Sequence, residues 1–245
     1  MDFEQIPLLL VEGIISYKKD FSFRSKIEQY ANYFQKQFFD TLKQKGIERE
    51  FTSGMDEQRV IRITDKNQPF NAVALSEDSI GFSLTRVSLA ELETTDLFRF
   101  LADNLSSFRA EGDRLVLDFF GLRFSQIFPF LKPKAAQIIK ETFFNEVSLY
   151  LEKVTANTEI DVMDFHIATS DKQMRYRLRV DSSQDKRAIT TRLEIEKPVG
   201  MVDTNISFST FSYDAIRFYK EAFRPFAERL IYNPDFNESF FTTFL

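Results

Sequence analysis

Met174-Arg-Tyr-Arg-Leu-Arg-Val180 alternates apolar and cationic residues, and Ile189-Thr-Thr-Arg-Leu-Glu-Ile-Glu-Lys197 alternates apolar and polar ones. A period of two marks strands with one buried and one polar face. Asp161-Val-Met-Asp-Phe-His-Ile167 and the stretch 204–210 carry the same signal, so four strands are expected between 161 and 210. Opposite residues of a hairpin share a face, which constrains the register. Loops centred on Ser170-Asp171, Gln184-Asp185 and Gly200-Met201 predict the core rows Phe165–Tyr176–Ile195–Ile206 and Met163–Leu178–Leu193–Phe208. The opposite face then carries Asp164–Arg177–Glu194–Ser207 and His166–Arg175–Glu196–Asn205, with Arg179 opposite Arg192. Opposite charges meet in these rows without being imposed, each pair contributing a few tenths to about 1 kcal/mol.

Upstream of this meander, an apolar run at 115–124 reads as a strand. A helix is expected from about Pro133 to Lys153, with Ala136, Ile139, Phe143, Val147 and Leu151 on one face. Downstream, a helix over 212–231 presents Ala215, Tyr219, Ala222, Phe226 and Leu230. The same order occurs earlier in the chain. Leu8 to Tyr17 is an apolar strand, and Ile27, Ala31, Phe34, Phe38 and Leu42 place a helix over 22–45, with Ser22 as N-cap and Gly46 as stop. Strands at 48–52, 59–64 and 72–85 follow, the last broken by a turn at Glu77-Asp78, and then a helix over 88–109. The expected fold class is therefore α+β: two related strand–helix–strands–helix halves, residues 1–111 and 112–245, mainly antiparallel sheet with helices packed on one face.

Composition narrows the chemistry. A chain of 245 residues and 28.8 kDa buries a full core without disulfide or metal staples. Cys is absent, which excludes thiol catalysis, Cys-ligated zinc and iron–sulfur clusters. His166 is the sole His, so multi-histidine metal sites within one chain are excluded too. No P-loop, GxGxxG or GxSxG occurs, and seven Gly leave little for a phosphate cradle. A net charge of −5 lacks the basic footprint of a nucleic-acid binder. No run reaches the roughly 20 apolar residues of a membrane span. The acidic start lacks a signal peptide's basic region, and a cytoplasmic location is expected. Phe is 29 residues and Trp none, an excess that suits a core or a sticky surface. The tail from Asn233 to Leu245 carries four Phe and is expected to dock on its own chain or on a second one.

Four stretches resemble an uncharacterised, sporadically distributed bacterial protein family of about 250 residues, close to this chain's length. They are Pro7-Leu-Leu-Leu-Val-Glu-Gly-Ile-Ile-Ser-Tyr17, Val73-Ala-Leu-Ser-Glu-Asp-Ser-Ile-Gly-Phe-Ser-Leu-Thr85, Phe120-Gly-Leu-Arg-Phe124 and Ile206-Ser-Phe-Ser-Thr-Phe-Ser-Tyr-Asp-Ala-Ile216. The resemblance implies no activity. A sporadic distribution is what accessory genes, including defence systems, show.

The leading expectation is a non-enzymatic binding or adaptor protein acting through protein–protein contacts, with a second copy of itself or another protein as partner. No cofactor, membrane or nucleic acid enters. The alternative is a sensor of a small anionic ligand or nucleotide, because Arg guanidinium groups bind phosphate and carboxylate bidentately. The candidate binding residues are Arg123, Asp164, His166, Arg175, Arg177, Arg179, Arg192 and Glu194. A third reading makes Asp164, His166 and Glu194 a metal-dependent hydrolase or nuclease site, against which the neighbouring Arg residues would repel a cation.

Overall fold

The computed structural model describes residues 2–18, 23–56, 60–67, 72–92, 94–107, 117–143, 164–170, 174–199 and 207–244. Ten strands form one antiparallel sheet: β1 (Pro7–Tyr17), β2 (Phe51–Met55), β3 (Ile61–Asp65), β4 (Ala72–Leu75), β5 (Ser79–Leu84), β6 (Val87–Ser88), β7 (Leu117–Pro129), β8 (Asp164–Ser170), β9 (Arg175–Ser182) and β10 (Ala188–Pro198). The order across the sheet is β2-β3-β4-β5-β1-β7-β10-β9-β8, with β6 pairing β1 off this path. Among the described residues the helices are α1 (Phe23–Lys45), α2 (Leu89–Leu92), α3 (Asp96–Ser107), α4 (Ala135–Phe143), α5 (Phe208–Ile231) and α6 (Ser239–Phe244). This is an α+β fold with an antiparallel sheet, as the alternation and helical stripes imply. The two long apolar strands, β1 and β7, pair with each other at the centre, Gly13 opposite Leu122. The expected break between halves, near Glu111-Gly112, lies outside the described residues.

Alternation decides which side the helices take. Val11, Ile15, Ile80, Phe82, Val73, Phe120, Phe124 and Ile195 all point to one face and are buried. Rings from the helices close over them. Phe98 of α3 meets Phe82 at 5.8 Å, Phe208 of α5 meets Phe120 at 5.7 Å, and Tyr219 stacks on Phe124 at 4.4 Å. Phe38 of α1 reaches Phe100 of α3 at 5.2 Å and Phe51 of β2 at 5.3 Å, so α1 belongs to the same layer. Gly13 is what lets two rings approach the central strand. A Cβ there would stand 2.5 Å from Phe82 and 2.9 Å from Phe208. Much of the Phe excess is thus this single inter-layer core. The tail docks on its own chain: Phe241 is buried, and Phe236 bridges to Phe130.

The expected Gly46 stop is observed, whereas Ser22, the expected N-cap of α1, lies outside the described residues. Gly46 ends α1 with φ of +62°, a conformation that favours glycine. The expected 88–109 helix is broken. Ser88 and Glu91 cap each other reciprocally (Glu91 N to Ser88 Oγ 3.2 Å; Ser88 N to Glu91 Oε2 3.1 Å), opening α2. The Thr94 and Thr95 hydroxyls then bond back to the Glu91 carbonyl, and α3 starts afresh at Asp96.

Two expectations for the meander are corrected. Residues 208–210 form the first turn of α5, not a strand, and 201–206 lie outside the described residues. Ser207 is the N-cap, its Oγ accepting from Thr210 N at 3.1 Å. Phe208, Phe211, Ala215, Ile216 and Tyr219 form a helical stripe that outlasts the two-residue alternation of Ile206 and Phe208. Asn205 and Ser207 therefore do not extend the polar rows, and β7 takes the place beside β10. The β8–β9 register also differs. Phe165 lies opposite Val180 rather than Tyr176, and His166 opposite Arg179 rather than Arg175. Asp164 lies opposite Asp181 rather than Arg177. Alternation fixes only the parity of pairing, and a connection over 171–174 keeps that parity while moving every partner by four. The β9–β10 register is as expected: Tyr176 opposite Ile195, Leu178 opposite Leu193, Arg177 opposite Glu194, Arg175 opposite Glu196 and Arg179 opposite Arg192.

Candidate functional site

Among the described residues the helices lie on one face, and the charged rows at the middle of the sheet point to the other. Two rows cross its middle. One runs Arg62–Ala74–Gly81–Ile14–Gly121–Glu196–Arg175, and the other Thr64–Ala72–Ser83–Glu12–Arg123–Glu194–Arg177. Small residues dominate the first half of each row and charges the second. The result is an open trough of about 360 Å³, floored by Ala72, Ala74, Gly81 and Gly121, with Ile14 and Phe119 beside them. Its lining spans six neighbouring strands, β3 to β10. The space therefore crosses the strands.

The glycines are required by close approach. Ile14 lies between Gly81 and Gly121 on the neighbouring strands. A Cβ on Gly121 would stand 2.7 Å from Ile14 Cγ2, and one on Gly81 would stand 2.5 Å from the Gly13 carbonyl oxygen. Side chains at either position would displace Ile14 or the backbone and fill the channel.

The charged end is a ladder of five groups. Arg123 Nη1 donates to Glu12 Oε2 at 2.7 Å, and its Nε lies 2.9 Å from Glu194 Oε1 with the N–H poorly aligned. Arg177 Nη1 lies 3.5 Å from Glu194 Oε2 and 3.1 Å from Glu196 Oε1. Burial works against the Arg123 charge, but Glu12 and Glu194 outweigh it and hold its pKa above the usual value. With Arg175 opposite Glu196 at the end of its row, three carboxylates meet three guanidiniums and the charges balance. The Glu194 and Glu196 side chains are only 21% and 16% exposed, so these carboxylates are partly withdrawn from water.

Of the candidate residues, the fold brings Arg123, Arg177 and Glu194 together, with Arg175 opposite Glu196 at the next position. Arg179 turns to Asp181 at 3.0 Å, and Arg192 stands exposed opposite Arg179 and Ser125, one row away from the trough. Asp164 and His166 lie on edge strand β8, opposite Asp181 and Arg179. The Asp164–Arg177 and His166–Arg175 pairings do not occur, and Glu194 is engaged by Arg123 and Arg177. Sequence reasoning missed Glu12, Arg62, Phe119 and the small-residue floor. One signal could have found Glu12: it is the lone charge of β1, and Arg123 is the lone charge between Phe119 and Pro129 of β7. Single opposite charges in two apolar strands ask to be paired.

Comparison with known proteins adds little. No protein-family model and no curated protein matches the chain, which agrees with a resemblance to an uncharacterised family. Among solved structures, the regulatory subunit of aspartate kinase from Thermus flavus is 13% identical, with 88% of this chain and 94% of that chain covered at a TM-score of 0.15. A likeness of that size carries no argument. Among the described residues no helix is long and apolar enough to cross a membrane.

Proposed function

We propose that this chain is a non-enzymatic binding protein, an adaptor that recognises another protein through the open face of its sheet. One observation carries the reading: among the described residues the packed helices lie on one side, and the other side holds a trough with an apolar floor and a charged end. A trough with few polar groups on its floor suits side-chain recognition of a protein surface. The anionic-ligand alternative finds less support. Arg62 and Arg123, the guanidiniums that line the trough, are engaged by Asp56, Glu12 and Glu194, and Arg177 beside them by Glu194 and Glu196. An anion would have to displace those carboxylates or sit beside them.

The test combines light scattering with affinity isolation of the tagged chain from its native host. The expected result is a stoichiometric protein partner, or a particle heavier than the 28.8 kDa chain. Either is released by Ala74→Trp, which fills the trough from an open-face position on β4. A monomer that retains no protein, or a complex indifferent to Ala74→Trp, would overturn the proposal.

A further inference from the structure

The covered face of the sheet holds a polar cluster that its own side chains do not complete. Gln126 of β7, Thr191 of β10 and Tyr219 of α5 are each at most 1% exposed. Gln126 and Thr191 lie opposite each other across the β7–β10 pair, and the Tyr219 hydroxyl donates to Gln126 Oε1 at 3.0 Å. Thr191 also acts on the Tyr219 phenol, lowering its pKa against the effect of burial, so the three groups converge. Yet Gln126 Nε2 and Thr191 Oγ1 are buried with no hydrogen-bond partner among the described residues. Turning the Gln126 amide over would exchange its two ends and leave the oxygen unpartnered instead, so the demand for a partner stays. Buried polar groups left in this way are rare because they are costly. The side chains around the cluster cannot meet the demand. Leu8 lies opposite Gln126, Val180 lies opposite Thr191, and Phe124 and Phe223 stack on Tyr219. All four are apolar and buried.

We infer that this site between β7, β10 and α5 binds one water molecule, held by Gln126, Thr191 and Tyr219. The chemistry of the three groups selects water. An amide and two hydroxyls need a partner that both donates and accepts. The apolar surroundings offer no counter-charge, so an ion would be buried unpaired. A buried water makes roughly two to four hydrogen bonds, which three convergent groups can supply. The water accepts from Gln126 Nε2 and shares hydrogen bonds with Thr191 Oγ1 and the Tyr219 oxygen, closing a ring with the Tyr219–Gln126 bond. Its effect is positional. Apolar packing is non-directional, whereas this bridge ties two strands to one point of α5 and so fixes where the helix sits along the sheet. The site lies on the covered face and is independent of what the trough takes.

The test is a crystal structure of the intact chain at a resolution that shows ordered water, with urea unfolding of Thr191→Val beside it. A water is expected at about 2.7–3.2 Å from the Gln126 amide and from Thr191 Oγ1. Thr191→Val keeps the shape of the side chain and removes its hydroxyl. With the water in place, the substitution takes away one of its partners and should lower the folding constant by about fivefold. With Thr191 Oγ1 alone in the core, the same substitution removes a desolvated hydroxyl and raises the folding constant. The sign of the change therefore separates the two cases. Oxygen-17 relaxation dispersion, which detects long-lived internal waters in solution, should count one fewer in the double variant Gln126→Leu/Thr191→Val than in the parent. A crystal structure in which the Gln126 amide and Thr191 Oγ1 pair directly with protein groups, or touch apolar atoms alone, would overturn the inference without help from any variant. A folding constant that stays level or rises in Thr191→Val would overturn it as well.

Discussion

The two faces of the sheet are built from alternate residues of the same strands, yet different physics governs them. On the covered face, Phe82, Phe120 and Phe124 each sit within about 6 Å of a helix ring, as buried aromatic pairs do, and volume is the controlling quantity. On the open face, Glu12, Arg123, Glu194 and Arg177 meet water on one side, and charge order is the controlling quantity. The covered face therefore sets stability, and the open face is where residues can be chosen for recognition at little cost to the fold. Gly13 and Gly121 show the division at neighbouring positions of the central pair: one makes room for core rings, the other for Ile14 and Phe119.

The sharpest way to break this comparison is Phe124→Ala set against Arg123→Ala, its neighbour in sequence and its opposite in face. Phe124 is fully buried and stacked on Tyr219. Its truncation should cost about 3–5 kcal/mol in urea unfolding. Arg123 is 40% exposed and its ion pairs are screened, so its truncation should cost about 1 kcal/mol or less. Equal losses would mean that the open face is no freer than the core.

A middle-sized effect probes a polar group inside the covered face. The Tyr219 hydroxyl is buried and donates to Gln126 Oε1 at 3.0 Å. Burial pushes its pKa far above the ordinary value, countered only in part by Thr191. Tyr219→Phe leaves the Gln126 oxygen without this donor and should cost about 1–2 kcal/mol at neutral pH. The pH dependence has a fixed sign. With the folded pKa raised, the phenol ionises first in the unfolded chain, at its ordinary value of about 10. The stability it contributes is fully present below that pH and is lost as pH rises above it. Tyr219→Phe should therefore flatten the fall in thermal midpoint between neutral pH and about pH 11, and an unchanged slope would place the alkaline transition elsewhere.

The layer arrangement was legible in the sequence because it depends on periodicity. Period-two runs and the Ala31–Phe34–Phe38–Leu42 stripe gave strands, helices and the buried side of each. The β9–β10 register was also legible, since Arg177–Glu194 and Arg175–Glu196 charge pairs and residue parity point the same way. Two things were not. Parity cannot choose between β8–β9 registers that differ by four, and the charge pairs that favour the other register are worth only about a few tenths of a kcal/mol each. The central β1–β7 pairing joins residues 100 or more positions apart, and it creates the trough. Only the lone charges Glu12 and Arg123 hinted at it, and a hydrogen-bonded pair of that kind is too common to stand alone as a signal.

The smallest effect has the opposite sign, and only the open face can supply it. Arg192 and Arg179 lie directly opposite each other on β10 and β9, two like charges across a strand pair. Arg179 is held by Asp181 at 3.0 Å, while Arg192 stands in solvent. Such a juxtaposition is unfavourable, and reversing one charge exchanges repulsion for attraction. Arg192→Glu should raise stability by about 0.2–1 kcal/mol at low salt. The gain should shrink as ionic strength rises past about 0.1 M, where the screening length falls to about 10 Å. On the covered face a substitution that adds charge at Leu193, one residue along, would bury it among rings and destabilise at any salt concentration. If Arg192→Glu instead destabilises, and does so equally in high salt, then Arg192 makes a packing contact. The open face around β9 and β10 would then be fixed by shape as the core is, and the separation of roles between the faces would fail there first.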